Sequence, residues 1–161
     1  MCYLCYARII QLRVARKTST TYHLTRKKKI YPTPSDLQRF EQLVNVLKPY
    51  EDRLKVRVNS KDHYEVWTND GYRTTSMHPA NLTGIQFAAV KIYSDHITFY
   101  LQPLYIHPLL KEQLSENLKP LFKGLSCLHV RDINNEIITD LKDIIKKCWD
   151  SYRQVGIIRR D

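Results

Sequence analysis

Apolar positions recur along this chain with two periods, and the change of period marks its elements. Leu37, Phe40, Leu43, Val44 and Leu47 are three or four residues apart, so they share one face of an amphipathic helix over 36–47. Ser35 three residues before Gln38 reads as a capping box, and Asp36 suits the positive end of the helix. Pro49 ends it, because the residue before a proline avoids the helical region. From Leu54 the period falls to two. Leu54, Val56 and Val58 alternate with Lys55 and Arg57, as in a half-buried strand. Turn residues at 59–62 lead to a returning strand at 64–68, and Asn69-Asp70-Gly71 supplies a second turn. Residues 72–77 are a candidate for a short edge strand outside the main five, followed by a loop at 78–81.

The strongest strand pair follows Gly84. Residues 85–93 are nearly all apolar, which suits a central strand, and Ser94-Asp95 connects them to 96–101. There Ile97, Phe99 and Leu101 alternate with Thr98 and Tyr100, so the pair reads as a hairpin with one buried face. Pro103 closes it. Helical turns are expected at 109–114 and 116–122, the second capped by Ser115 and ended by Gly124. Residues 125–130 read as a fifth strand. Asn134 then caps a long helix over about 135–153, whose stripe is Ile137, Ile138, Leu141, Ile144, Ile145, Cys148 and Trp149. Strands joined by short turns, with helices before and after them, predict an α+β fold. Its antiparallel sheet has about five strands, with the N-terminal and C-terminal helices packed on one face.

Charge divides the chain where the periodicity begins. Eight of the 26 Lys and Arg precede Pro32, whereas all 16 Asp and Glu follow it. The formal +10 of the 161 residues is therefore mostly a property of residues 1–31, and the domain at 32–161 is close to neutral. The basic arm reads first as a flexible, solvated extension. Its cluster Arg26, Lys27, Lys28 and Lys29 is also the candidate nucleic-acid contact, since cations displace the counterions of a phosphate backbone. An acidic membrane surface and a transit-peptide role are the other readings of an acid-free segment. No run of about 18 apolar residues is present to span a membrane.

Little catalytic chemistry is visible. Four glycines cannot build a phosphate-cradling loop, and no hydrolase elbow or zinc-protease motif occurs. Cys2-x-x-Cys5 has metal-ligand spacing but lacks a second pair of ligands. Cys127 and Cys148 read as buried, reduced thiols. Cys127 and His129 share a strand face and could touch, but they read first as an ordinary strand with one buried and one exposed residue type. Asp140 and Asp143 lie on one face of the last helix beside Lys142, Lys146 and Lys147, which oppose cation binding. Glu51-Asp52 is the other acidic cluster.

Phe87-Ala88-Ala89-Val90-Lys91-Ile92-Tyr93-Ser94-Asp95-His96-Ile97-Thr98-Phe99-Tyr100-Leu101 resembles the central hairpin of the YdhG-like domain family. Pro103-Leu104-Tyr105, then 118–122, then Lys123-Gly124-Leu125-Ser126-Cys127-Leu128 are similar to its helix, turn and strand block. The terminal helix ending Trp149-Asp150-Ser151-Tyr152, and the early piece at 40–50 with Leu54-Lys55-Val56, fit as well. The resemblance covers about residues 35–153 and omits the basic arm. It departs at the family's glycine–lysine–serine turn, which here has its lysine before the glycine. The resemblance implies a small α+β fold with a curved antiparallel sheet, a cytoplasmic location and no established enzyme activity. Some members carry an iron-chaperone or frataxin-like label.

The candidate ligand-binding residues are Lys91, Tyr93, His96, Tyr100 and Tyr105, with His107 beyond them, a set that mixes hydrogen-bonding groups with aromatic faces. An exposed sheet face with amphipathic side chains would look the same. The expected function is a non-catalytic binding domain for a small ligand, a metal or a protein partner, with no catalytic residue, no cofactor and no defined metal site. A nucleic-acid-associated protein using the arm, and a frataxin-like iron chaperone, are the alternatives.

Overall fold

The computed structural model describes residues 32–69 and 84–158. The arm residues Arg26, Lys27, Lys28 and Lys29, and the candidate edge strand at 72–77, lie outside the described residues. Thr33 starts the first helix, α1 (Pro34–Asn45), by accepting a hydrogen bond from the Asp36 N–H at 3.1 Å, while the Asp36 carboxylate accepts from the Thr33 N–H at 2.9 Å. The reciprocal cap thus lies two residues before the expected Ser35, because Pro34 is tolerated in the first turn, where no N–H partner is needed. Leu37 is exposed, and Phe40, Leu43 and Val44 form the buried stripe. Pro49 does not end α1; it sits in a separate 3₁₀ turn at Lys48–Tyr50.

Six strands follow: β1 (Leu54–Asn59), β2 (His63–Thr68), β3 (Gln86–Ile92), β4 (Ile97–Leu101), β5 (Phe122–Lys123) and β6 (Cys127–Val130). Their order across the sheet is β1-β2-β3-β4-β6-β5, and all the pairs are antiparallel. The sixth strand beyond the five expected is β5. Its two residues are too few to show a period, and Phe122 ends the helical turn that the spacing predicts over 116–122. Gly124, with φ +77°, serves the turn between β5 and β6 instead of ending a helix. Pro103 begins a short helix, α2 (Pro103–Ile106), and 3₁₀ turns at Pro108–Gln113 and Lys119–Leu121 replace the two expected helical turns.

Two bulges shape the sheet. Between Val66↔Ala88 and Trp67↔Gln86 the register shifts, so Phe87 is an extra residue and turns to the same side as Ala88. That bulge explains the unbroken apolar run of β3: Phe87 and Ala88 are both fully buried in the core. The second bulge leaves Arg57 extra between Val56↔Val66 and Val58↔Glu65. Gly84, just before β3, has φ +118°, and a Cβ there would meet the Thr68 carbonyl oxygen at 2.3 Å. Only glycine allows that approach.

One sheet face meets the helices. Tyr64, Val66, Ala88, Val90, Ile92, Ile97, Phe99, Leu101, Leu128 and Val130 point to a core shared with α1, with Leu104 and with α3 (Asn135–Gln154). The Asn134 side chain caps α3 as expected, accepting from the Ile137 N–H at 2.8 Å. Phe87 meets Trp149 and Tyr152 edge-on, with centroids 5.8 and 5.7 Å apart. No described helix is long and apolar enough to cross a membrane.

Candidate functional site

Strand residues that point away from the helices line up in cross-strand rows. Val58, Glu65, Ala89, Tyr100, Cys127 and Lys123 are successive partners across all six strands. His63, Lys91, Thr98 and His129 form the next row, and Lys55, Trp67 and Gln86 the row on the other side. None of these residues belongs to the apolar core cluster. At the ~4.8 Å spacing of neighbouring strands, the six-stranded face is roughly 24 Å across.

Ala89 makes a hollow in this face. Its methyl group lies in a row of large side chains, and a cavity of about 200 Å³ sits above it. His63, Glu65, Gln86, Lys91, Tyr93 and Tyr100 form the walls. Three of the expected ligand-binding residues, Lys91, Tyr93 and Tyr100, are therefore together. The Tyr93 and Tyr100 hydroxyls are 2.8 Å apart, and the Lys91 ammonium lies 5.5 Å from the Tyr93 ring centre. Burial and the Tyr93 hydroxyl raise the Tyr100 pKa, so its phenol stays protonated at neutral pH.

His96 joins the set by stacking. Its ring lies 5.2 Å from Tyr93 on one side and 4.1 Å from His129 on the other, so the three rings form a column. The Asp95 carboxylate contacts His96 Nδ1 at 2.8 Å, and Arg131 reaches Asp95 at 3.9 Å. The His96 contact holds the Asp95 pKa below the usual carboxylate range. Burial, then the neighbouring His96 and Lys123, lowers the pKa of His129, so that ring is neutral at pH 7.

Tyr105 is displaced from this group. It is about half exposed and lines a second cavity of about 440 Å³ with Trp67, Gly84, Ile85, Gln86, Gln102 and Ile106. Gln86 lines both cavities, so the hollow over Ala89 adjoins the one beside Tyr105. Trp67 is fixed from two sides. Its indole N–H donates to Glu65 at 2.9 Å, and the Arg57 guanidinium lies 4.1 Å from the ring centre. Glu65 also contacts His63 Nε2 at 2.7 Å. His107 lies elsewhere, in a cavity of about 400 Å³ beside Lys147 and Asp150 of α3.

His63, Glu65, Trp67, Gln86 and His129 were not singled out from the sequence as binding residues. His63, Glu65 and Trp67 alternate along β2, so their common face was legible. Their position opposite Lys91 and Ala89 depends on register, which a single strand does not carry.

The other candidate chemistries meet plain structural roles. Ser115 and Asn117 donate to the Asp140 carboxylate at 2.7 and 2.9 Å, which lowers its pKa and ties the 115–118 turn to α3. Glu51 accepts from the Tyr64 hydroxyl and pairs with Lys48 at 2.9 Å. Among the described residues no group of three or more His, Cys, Asp and Glu is placed to hold a metal ion. Cys148 is buried, and burial pushes its pKa up to about 12. Cys127 is half-buried on the open face instead of inside the core, and the His129 ring in its neighbourhood stacks on His96. Comparison with protein-family models, with curated proteins and with solved structures finds no match.

Proposed function

We propose that this chain is a non-catalytic binding domain of the YdhG-like kind, and that its ligand-binding surface is the helix-free sheet face, the one that no helix among the described residues covers. One observation carries the proposal: two cavities with aromatic and polar walls adjoin through Gln86 on that face. Binding sites combine apolar walls with a few placed polar groups. Here Trp67, Tyr93, Tyr100 and Tyr105 are the walls, while Lys91, His63, Gln86 and Gln102 are the polar groups. His63, Trp67, Tyr93 and Tyr100 are held by Glu65 and by one another before any ligand arrives, which lowers the ordering cost of binding. His63, Glu65, Tyr93 and Tyr100 are engaged in mutual contacts, and no nucleophile–base pair stands out among them. That favours binding over catalysis.

The test is amide NMR of the full chain with a panel of nucleotides, sugar phosphates and short peptides. At least one compound class is expected to shift resonances at Lys91, Ala89, Trp67 and Gln86 together. Lys91→Glu is expected to weaken that compound about tenfold, the scale of one lost charge-assisted contact. If every shift falls on the helical side, or none occurs, the proposal fails.

A further inference from the structure

The helix-free face departs from the near-neutral charge of the domain. Its rows include Lys55, Lys91 and Lys123, against Glu65 as the acid, and the bulge residue Arg57 adds a fourth cation where it lies over the Trp67 ring. Lys55, Arg57 and Lys123 are exposed, and Lys91 is half-buried in the wall of the hollow. Glu65 is engaged by His63 and Trp67, so its charge is partly spent inside the face. The cations are spread from β1 to β5, the full width of the sheet. Two stations of flat rings lie between them. Trp67 and Tyr105 line the larger cavity, and Tyr93, His96 and His129 form the stacked column beside the smaller one.

These features fit a long, flexible, repeating anion better than a compact one. A single small anion would need convergent cations, whereas these four are distributed. A duplex is rigid, its bases are already stacked on one another, and it could not place them in two hollows. A single strand has a charged backbone and unpaired bases with free π-faces. Aromatic stations between cations are the arrangement that binds such strands with little sequence preference.

We propose that the helix-free sheet face binds single-stranded nucleic acid, its backbone along Lys55, Arg57, Lys91 and Lys123 and its bases at the Trp67–Tyr105 and Tyr93–Tyr100 hollows. This rests on the reading of that face as the binding surface and names its ligand class. It differs from a role for the basic arm, because it places the contacts on the folded sheet.

The experiment uses the full chain and a fluorescent mixed-sequence oligonucleotide of about 12 nucleotides, as RNA and as DNA, with a duplex of the same length and a polyphosphate of similar charge as competitors. Anisotropy is read at several salt concentrations. A single strand of either sugar is expected to bind at least about tenfold more tightly than the duplex and to resist polyphosphate. Trp67→Ala and Tyr93→Ala are each expected to weaken it about tenfold, the scale of one lost stacking contact. Lys91→Gln is expected to reduce the slope of log affinity against log salt by about 0.7, one single-strand phosphate contact. The fourfold arm variant R26Q/K27Q/K28Q/K29Q is expected to weaken binding while leaving the Trp67→Ala effect in place. Circular dichroism confirms that each variant is folded, and Lys91→Gln, a half-exposed change, keeps the test available if an aromatic variant unfolds.

Duplex binding as tight as single-strand binding overturns the proposal. So do Trp67→Ala and Lys91→Gln proteins that bind like the parent, or binding abolished by the arm variant alone. If no oligonucleotide binds while another compound shifts Lys91 and Ala89 by NMR, the ligand class is wrong and the binding surface stands. If nothing shifts them, both fall.

Discussion

The two faces of the sheet are built from the same strands by alternate residues, and they solve opposite problems. The covered face is a hydrocarbon surface: Val66, Val90, Phe99 and Leu128 are fully buried beneath the helices. The helix-free face is aromatic and polar, and it satisfies its own groups through Glu65 with His63 and Trp67, and through Tyr93 with Tyr100. Buried apolar area drives folding on the first face. On the second, half-exposed contacts of this kind contribute little to stability and are free to serve recognition. The contrast is sharpest at two neighbouring strand positions. Ala88 fills a site between strands in the core, whereas Ala89 leaves a hollow in the open face.

The largest break in this comparison should come from Phe87, the bulge residue that both α3 aromatics contact. Phe87→Ala removes a fully buried ring from the Trp149, Tyr152 and Tyr50 cluster. The expected loss is about 3–5 kcal/mol of unfolding free energy, measured by urea denaturation. A loss below about 1 kcal/mol would mean that the bulge does not seat Phe87 in the core. On the other face, Lys91→Gln should change stability by less than about 0.5 kcal/mol in the same assay.

Gly84 gives the next largest effect. It joins the two faces at one end of the sheet, since it lines the larger cavity while its backbone packs against the Thr68 carbonyl. Gly84→Ala combines a φ of +118° with a backbone clash at 2.3 Å that no side-chain rotation relieves. A loss of about 1–3 kcal/mol is expected. The same variant should disturb resonances of Trp67 and Gln86 more than those of Tyr93 and Tyr100. An undisturbed Trp67 would separate the cavity from the glycine.

Periodicity made the covered face legible. The α3 stripe with its Asn134 cap, the shared side of Leu54 and Val56 and the β3–β4 hairpin follow from spacing and turn residues alone, whereas Val58 leaves that side because the Arg57 bulge turns it to the open face. What escaped was set by register and by single inserted residues. The Phe87 bulge hid inside an apolar run, because an extra apolar residue in a central strand breaks no visible pattern. The real cap of α1 is Thr33: two candidate hydroxyls stand two residues apart, and only the Thr33 start puts Pro34 in the first turn, which suits it. The candidate site was half legible. Lys91, Tyr93 and Tyr100 share a hairpin whose turn fixes their register, but His63 and Glu65 arrive through the β2–β3 pairing across more than 20 residues of sequence. Tyr105 was placed one cavity away from its expected neighbours, because α2 turns the chain out of the sheet at Pro103.

The smallest expected effect is electrostatic and belongs to the open face alone. Burial and the neighbouring His96 and Lys123 lower the pKa of His129 in the fold, while Asp95 opposes the shift. The folded protein therefore binds this proton more weakly than the unfolded chain does. Stability from the neutral ring is fully present above the ordinary histidine pKa of 6.5 and is lost as pH falls through it toward the lowered folded value. The structural carboxylates Asp36, Glu51, Asp95 and Asp140 also have lowered pKa values, so their contributions are lost only on further acidification, below 4.5 for glutamate and 3.8 for aspartate. Between these ranges the decline should come mainly from the His96–His129 stack. The midpoint of thermal unfolding should fall modestly across that interval, and His129→Gln should flatten the fall without affecting the acid limb below it. An equal fall in the variant would assign the proton to a different group and leave the Tyr93–His96–His129 column electrically silent.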